Sequence, residues 1–384
     1  MTTESQERQE LRAAVNKFAA GYGPKYMEKC YQDGEYPWEL WREAGKLGFL
    51  GVNIPEEFGG GGAGMYELSL VAEELNAQGS GLLLMVVSPA ICGNIINRFG
   101  TPEQRQQWLP GLGDGSKILV FGITEPDAGS NSHRITTTAK RDGSDWLLTG
   151  RKVFISGVDV ADAVLIVART EDAKTGNLKP ALFIVPRDTP GFEYQPIDMA
   201  VRLPERQFSL FFDDMRLPAE ALVGDPDGGI MQLFAGLNPE RIMAAAGGVG
   251  SARYALDRAV DYAKTRTVFK APIGAHQAIS HPLAQIKIET ELAKLMMQKA
   301  AVLYDGGDDF GAAEAANMAK YAAAEASVRA IDQAVQTLGG NGLTVEYDLG
   351  TQLANARIMR IAPVSREMIL NYVATTSLGL PKSY

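Results

Sequence analysis

Cysteine and histidine are scarce: the 384 residues hold two cysteines, Cys30 and Cys92, and three histidines. Two thiols cannot make a disulfide framework, and the histidines share no metal-ligand spacing, so neither a disulfide-stapled scaffold nor a histidine-based metal site is expected. Positive charge is also in deficit. Lys+Arg 37 against Asp+Glu 46 gives 37 − 46 = −9, which argues against nucleic-acid or anionic-membrane binding. An anionic ligand must find a local basic spot or a helix N-terminus. Long hydrophobic runs are missing too: the most apolar stretch, residues 81–91, is interrupted by Ser88 and Pro89 and is too short to span a bilayer. Near the start, Glu4, Glu7, Arg8 and Glu10 leave no apolar secretory segment. These absences point to a soluble, reduced, cytoplasmic protein with no metal, no nucleic-acid partner and no membrane span.

What is present is ordinary globular composition, 46% apolar and 22% charged. At ~100–200 residues per domain, the length predicts two or three domains. The pattern changes character twice. Residues 1–117 read as helices, as in Pro37-Trp38-Glu39-Leu40-Trp41-Arg42-Glu43-Ala44, with apolar residues at 3–4 spacing. The run Gly59-Gly60-Gly61-Gly62 reads as a loop between two helices. A phosphate cradle would need a strand before it and Lys-Ser/Thr after it, and neither is there. Residues 118–228 read as short strands, among them Ile118-Leu119-Val120-Phe121, Val164-Leu165-Ile166-Val167 and Phe208-Ser209-Leu210-Phe211-Phe212. Turn residues separate them, including Asp142-Gly143 and Asp225-Pro226-Asp227-Gly228-Gly229. Their spacing suggests a small sandwich or barrel rather than βαβ units. Residues 229–384 return to helix. Asn238-Pro239-Glu240-Arg241 reads as a helix start, with an N-cap side chain and proline at the first helical position. The alanine-rich stretch 312–338 stops at Gly339-Gly340 and suits a four-helix bundle. The predicted fold class is α+β and multidomain: N-terminal helical domain, middle β-sandwich or barrel domain, C-terminal four-helix bundle.

Thr124-Glu125-Pro126-Asp127-Ala128-Gly129-Ser130 is a turn that follows an apolar strand and presents two hydroxyls. Taken alone, it is as readily a plain loop as a site. Further on stand Lys152-Val153-Phe154-Ile155-Ser156-Gly157, Arg266-Thr267-Val268-Phe269, Gln277 and Gln336-Thr337-Leu338-Gly339-Gly340-Asn341-Gly342. In this order and spacing, and with Leu47-Gly48-Phe49-Leu50-Gly51 and Pro55-Glu56-Glu57-Phe58-Gly59-Gly60 before them, these resemble the acyl-CoA dehydrogenase family from about residue 8 to 375. The resemblance implies FAD as cofactor, an acyl-CoA thioester as substrate, an electron-transfer flavoprotein as electron acceptor and a homotetramer working in fatty acid β-oxidation. It implies cofactor contacts at Ile123, Thr124, Phe154, Ser156, Arg266, Phe269, Gln277, Gln336, Gly339, Gly340 and Ser365, the set from Arg266 to Gly340 serving the diphosphate and adenine across a subunit interface. It places acyl-CoA contacts at Ser130, Asn238 and Arg241. Physically, Arg266 offers the fixed charge a diphosphate needs in an acidic protein, though by itself it could equally be a solvated surface arginine.

One departure matters. Most of the family carry a catalytic glutamate in a loop before the final helix, and Pro363 of Ile361-Ala362-Pro363-Val364-Ser365-Arg366-Glu367 occupies its place. A minority place the base at a position corresponding to Glu240, which would take the α-proton while the β-hydride goes to flavin N5. Two readings of Glu240 stand, a catalytic base or a glutamate that merely suits a helix start. Glu367 reads as structural. Proline also lacks the N–H that this loop lends to the thioester carbonyl in the family; either Val364 supplies it after a loop shift, or activation is weaker or differently arranged. Two alternatives to the dehydrogenase reading stay open. One is a same-fold flavin enzyme of other chemistry, an enoyl-CoA reductase or monooxygenase. The other is a catalytically weakened subunit of a mixed oligomer.

Overall fold

The computed structural model describes residues 4–172, 175–225 and 228–383, and of Ile230 the backbone alone. The N-terminal part is helical: α1 (Gln6–Ala19), α2 (Gly23–Asp33), α3 (Trp38–Lys46) and α4 (Met65–Ala77) come first. Then α5 (Leu83–Met85), a π-helical stretch Val86–Gly93 and α6 (Asn94–Phe99) run on continuously, before α7 (Pro102–Asp114). Local chemistry sets the helix starts. The Ser5 side chain caps α1, and Thr101 with Gln104 forms a reciprocal capping box on α7, with Pro102 in its first turn. The four glycines at 59–62 lie in the connection between α3 and α4.

The middle of the chain builds one sheet. Its strands are β1 (Leu119–Gly122), β2 (Thr138–Asp142), β3 (Asp145–Ser156), β4 (Ala163–Glu171), β5 (Leu178–Pro186), β6 (Phe192–Ile197), β7 (Gln207–Leu217) and β8 (Leu222–Val223). They hydrogen-bond in the order β6-β7-β3-β2-β4-β5-β8, while β1 and β2 both run parallel to β4, at its opposite ends. Residues 163–168 of β4 are all buried, because both faces of this strand are covered. Of the turn expected at 225–229, Pro226 and Asp227 lie outside the described residues.

The C-terminal part contains α8 (Gly229–Thr265), the short hairpin β9 (Thr267–Val268) and β10 (Ala271–Pro272), α9 (Gln277–Asp305), α10 (Asp309–Leu338), α11 (Leu349–Ile358) and α12 (Arg366–Tyr372). One expectation is corrected here. The helix expected to start at Asn238-Pro239 begins at Gly229, and Pro239 lies inside α8. Asn238 is therefore no N-cap. Its side-chain amide instead donates to the Asp309 carbonyl at 3.0 Å, and its oxygen is left without a partner. Proline is tolerated nearly three turns in because flanking packing holds the segment: Tyr304 Oη donates to the Ala235 carbonyl at 2.9 Å. Helices α8 and α10 approach closely. A Cβ added to Gly248 would lie 3.1 Å from Ala323, and the α10 face turned inward is mostly alanine.

Two adjacent buried carboxylates on α4 tie this bundle to the N-terminal helices. Glu73 and Glu74 receive Arg253 of α8 at 2.6 Å each, Arg12 of α1 contacts both, and Lys294 of α9 stands 3.4 Å from Glu73. Buried charges need such partners, and removing one exposes the desolvation cost of the rest. Arg253→Met is accordingly expected to destabilise the protein by about 3 kcal/mol, read as a lower urea midpoint that high salt does not restore.

Candidate active site

Three groups of expected site residues emerge, and they are not equally close. The first lies where the 123–130 loop meets β3. Val153 N–H donates to the Thr124 carbonyl at 2.9 Å. The β3–β7 pairing is interrupted between Lys152 and Ile155, and Phe154 within that irregularity has φ 58° and is 55% exposed. Such a bulge re-aims a side chain, here an aromatic ring turned out of the sheet. The Thr124 hydroxyl is half-buried and makes no hydrogen bond among the described residues, whereas Ser156 Oγ is engaged by the Gln207 side-chain amide, its Nε2 donating at 2.8 Å. Ile123 packs into the same apolar cluster as Cys92 and Leu233, and Ser130 is exposed farther along the loop.

This loop is held by a pair the motif reading passed over. Lys152, fully buried, donates to Glu125 Oε1 at 2.8 Å and to the Ile123 carbonyl at 3.0 Å. Glu125 also accepts from Thr136 N–H at 2.6 Å and Thr137 N–H at 3.0 Å. Burial alone would raise the Glu125 pKa, but Lys152, Thr137 and Thr136 outweigh it and hold the carboxyl at about 2. The available signal was a lysine inside an apolar strand run, where a charge is expected only if paired.

The second group sits on α8 beside α10. Glu240 is only partly exposed at its surface and has protein on every other side; its carboxylate makes no hydrogen bond or ion pair among the described residues. Desolvation pushes it up to about 7, against the pull of Arg241 and Lys320. The helix-start contribution considered from the sequence is absent, since α8 begins eleven residues earlier, at Gly229. Arg241 donates to the Leu237 carbonyl at 3.1 Å, its Nε finds no acceptor, and burial lowers its pKa. The buried thiol of Cys92, on the π-helical stretch, lies near Glu240. Approach of that stretch depends on Gly236, where a Cβ would fall 2.9 Å from its Ile91 and 2.6 Å from Ile95 of α6. Across from Glu240, Lys320 of α10 is 1% exposed and donates to the Val364 carbonyl in the loop before α12. Neither Lys320 nor Cys92 was singled out from the sequence. Lys320 was legible only as a charge on the alanine face of a helix.

In that loop Ser365 caps α12, accepting from Met368 N–H at 3.3 Å. The N–H groups of Val364 and Ser365 have no acceptor among the described residues. Glu367, the other acid here, is exposed and pairs with Arg366 at 3.1 Å.

The third group is remote. Arg266, Phe269, Gln277, Gln336, Gly339 and Gly340 are all exposed, Phe269 at 90%. They gather at the far end of the bundle: Arg266 N–H bonds the Tyr262 carbonyl, and Asn341 donates to the Tyr262 hydroxyl at 3.1 Å. From Glu240 to Arg266 is 26 residues of α8, about 39 Å at 1.5 Å per residue, more than one FAD can bridge. Arg266 has no carboxylate partner among the described residues, and a Cβ on Gly339 or Gly340 would meet nothing within 4 Å. Gly339 needs glycine for its own backbone, with φ 61° and ψ −136°; no neighbour in the chain explains Gly340. An unpaired guanidinium beside open, side-chain-free backbone fits a diphosphate, and the free hydroxyl and projecting ring of the first group fit an isoalloxazine edge. Among the described residues there is no acidic, thiol or imidazole cluster that could hold a metal, and no helix is long and apolar enough to cross a membrane.

Three family models match the chain: acyl-CoA dehydrogenase N-terminal domain at residues 5–116, middle domain at 120–215 and C-terminal domain at 227–378. Acyl-CoA dehydrogenase FadE12 of Mycobacterium tuberculosis is 68% identical over 381 residues, covering 99% of this chain and 98% of its own. Among solved structures, a glutaryl-coenzyme A dehydrogenase bound to glutaryl-CoA superimposes with a TM-score of 0.92 at 31% identity, covering 100% of this chain and 98% of its own. A glutaryl-CoA dehydrogenase from Mycobacterium smegmatis in complex with FADH2 gives 0.90 at 28% identity, covering 99% and 97%.

The Lys152–Glu125 pair makes a direct prediction. Lys152→Met leaves a buried carboxylate without its cation, so stability should fall by about 3–5 kcal/mol, and the 123–125 loop should loosen. The measurements are thermal unfolding and flavin retained after gel filtration.

Proposed function

Because the chain belongs to the acyl-CoA dehydrogenase family of FAD-dependent oxidoreductases, we propose that it oxidises the α–β bond of an acyl-CoA thioester, with Glu240 as the base. The observation that carries this reading is the Glu240 carboxylate itself: half-buried beside α10, without a hydrogen-bond partner among the described residues, and pushed up to about 7 by desolvation. A general base works best with a pKa near the operating pH, and an unpaired carboxylate is free to take a proton. Glu367, by contrast, is exposed and paired with an arginine.

When bound, FAD supplies the acceptor for the β-hydride. Ile123, Thr124, Phe154, Ser156 and Ser365 would hold its flavin end. Arg266, Phe269, Gln277, Gln336, Gly339 and Gly340 of a second copy would hold the diphosphate and adenine, since within one chain they lie too far from Glu240. Ser130, Asn238 and Arg241 would contact the acyl-CoA. Asn238 Oδ1 and Arg241 Nε, both buried without partners, are groups a polar ligand atom can satisfy. The three units 1–117, 118–228 and 229–384 act as domains in this reading. Helix α9 leaves Ile288, Leu292 and Leu295 about 60% exposed along one face, which suits burial against another subunit and supports a homotetramer. An electron-transfer flavoprotein as acceptor, a cytoplasmic setting and a part in fatty acid β-oxidation complete the proposal.

Pro363 supplies no N–H to the thioester carbonyl. The unpaired N–H groups of Val364 and Ser365 are the donors available in the loop, and one such donor is worth about 3 kcal/mol at a developing oxyanion.

Two outcomes are expected. Glu240→Gln should retain FAD and acyl-CoA while slowing substrate-driven flavin reduction by about 10²–10⁴-fold. In the parent protein the carboxylate form is the active one, so the rate should rise with pH through a midpoint near 7. Stopped-flow bleaching of the flavin checks both, and an undiminished rate in Glu240→Gln would move the base elsewhere. The purified protein should also be yellow, with about one FAD per chain, and oligomeric. Monomers that keep their FAD, seen by light scattering with absorbance, would contradict the shared cofactor site.

A further inference from the structure

Lys320 is a buried lysine that the proposed chemistry leaves without a role. It lies on α10 at 1% exposure, surrounded by alanines of the bundle seam. An ammonium carries three donors; the hydrogen bond found among the described residues goes to the Val364 carbonyl. A buried charge is retained at a cost, so its surroundings show what it does.

Four charged groups face it: Arg241 and Glu240 from α8, Glu325 from its own helix and Glu367 from α12. Two of the three carboxylates are already engaged. Glu325 receives Arg360 at 2.6 Å and Arg366 at 3.5 Å, and Glu367 takes Arg366 at 3.1 Å. Glu240 has no such partner. The positive charge of Lys320 is therefore balanced chiefly against the carboxylate proposed as the base, and the hydrogen bond it makes is to the loop that carries Pro363. Because C=O and N–H lie in one plane of a trans peptide, holding the Val364 carbonyl on α10 also fixes the direction of the Ser365 N–H, which has no acceptor.

We propose that Lys320 is a positioning residue for the reaction: its ammonium holds the Val364–Ser365 peptide so that the loop's free N–H groups serve the thioester carbonyl, and its charge faces Glu240 across the α8–α10 seam. This rests on Glu240 being the base. Burial and, after it, Arg241 lower Lys320 to about 8 against the opposing pull of Glu240, so below that pH the cation is present while Glu240 titrates near 7.

The test compares the FAD-loaded parent with Lys320→Gln, Lys320→Met and Lys320→Arg, with FAD content measured first. The readouts are the pH midpoint of flavin reduction and the Raman carbonyl stretch of a bound 2-enoyl-CoA. Removing the cation, in Gln or Met, should raise the midpoint by about one pH unit, the effect of losing a nearby opposite charge. Arginine keeps the charge and should leave the midpoint in place. Its planar fork cannot reproduce the ammonium's contact with Val364, so the downshift of the carbonyl stretch should weaken in Arg and Met alike. A merely structural lysine would lower FAD content or stability and leave both readouts unmoved; that result in FAD-loaded Gln or Met protein overturns the proposal. If neither neutral variant folds, Lys320→Arg decides: a moved midpoint defeats the charge argument, and an unchanged stretch defeats the loop argument. Failure of the Glu240 reading is separable, because Glu240→Gln would then reduce flavin at the parent rate, while the carbonyl stretch, which requires no base, still reports on Lys320.

Discussion

The site proposed here depends on the seam where α8 meets α10. Gly248 against Ala323, and the run of buried alanines along α10, bring two long helices into close contact. A carboxylate on one side and an ammonium on the other then interact in a medium of low polarity, where charge is costly and attraction strong. Desolvation raises Glu240 to about 7, against the opposing pull of Arg241 and Lys320. Larger residues in the seam would part the helices, admit water and return Glu240 toward the ordinary carboxylate range.

The rest of the architecture serves to keep that seam and its surroundings fixed. Glu73 and Glu74, paired with Arg12, Arg253 and Lys294, lock α4 against α1, α8 and α9. Asp305, the last residue of α9, accepts from Met65 and Tyr66 N–H at 2.7 and 3.0 Å and so caps α4 from the bundle side. At the sheet, Lys152 and Glu125 do the same for the 123–125 loop. Each of these contacts spends charged residues inside the protein, and each is completed by a partner from a different part of the chain.

In the proposed reading, Pro363 in the loop before α12 and the buried Lys320 beneath that loop form one arrangement. With Pro363 unable to donate, the loop's remaining N–H groups need to be aimed by something outside the loop, and Lys320 is the group that touches its backbone. Glu240, the base proposed on α8, faces that lysine's charge. In that proposal, α-proton removal and carbonyl binding depend on the same residue.

By itself the sequence determined the order of helices, strands and helices, because apolar spacing and turn residues are local properties. Its motifs also determined the family, since Thr124, Phe154, Ser156, Arg266, Gln277 and Gly339-Gly340 recur in fixed order whatever the packing. It misplaced the start of α8: Asn238-Pro239 carries a strong local start signal, and tertiary contacts of Ala235 and Asn238 with Tyr304 and Asp309 override it. The protonation tendency of Glu240 was beyond the sequence for the same reason, since desolvation depends on which helices close over the side chain. Only the tertiary structure decided that Lys152 answers Glu125, that Lys320 reaches Val364 from 44 residues away in the chain, and that Arg266 lies a helix length from Glu240. Pairings between distant residues leave no periodic trace in a single chain, because each partner is chosen by the fold and not by its neighbours in sequence.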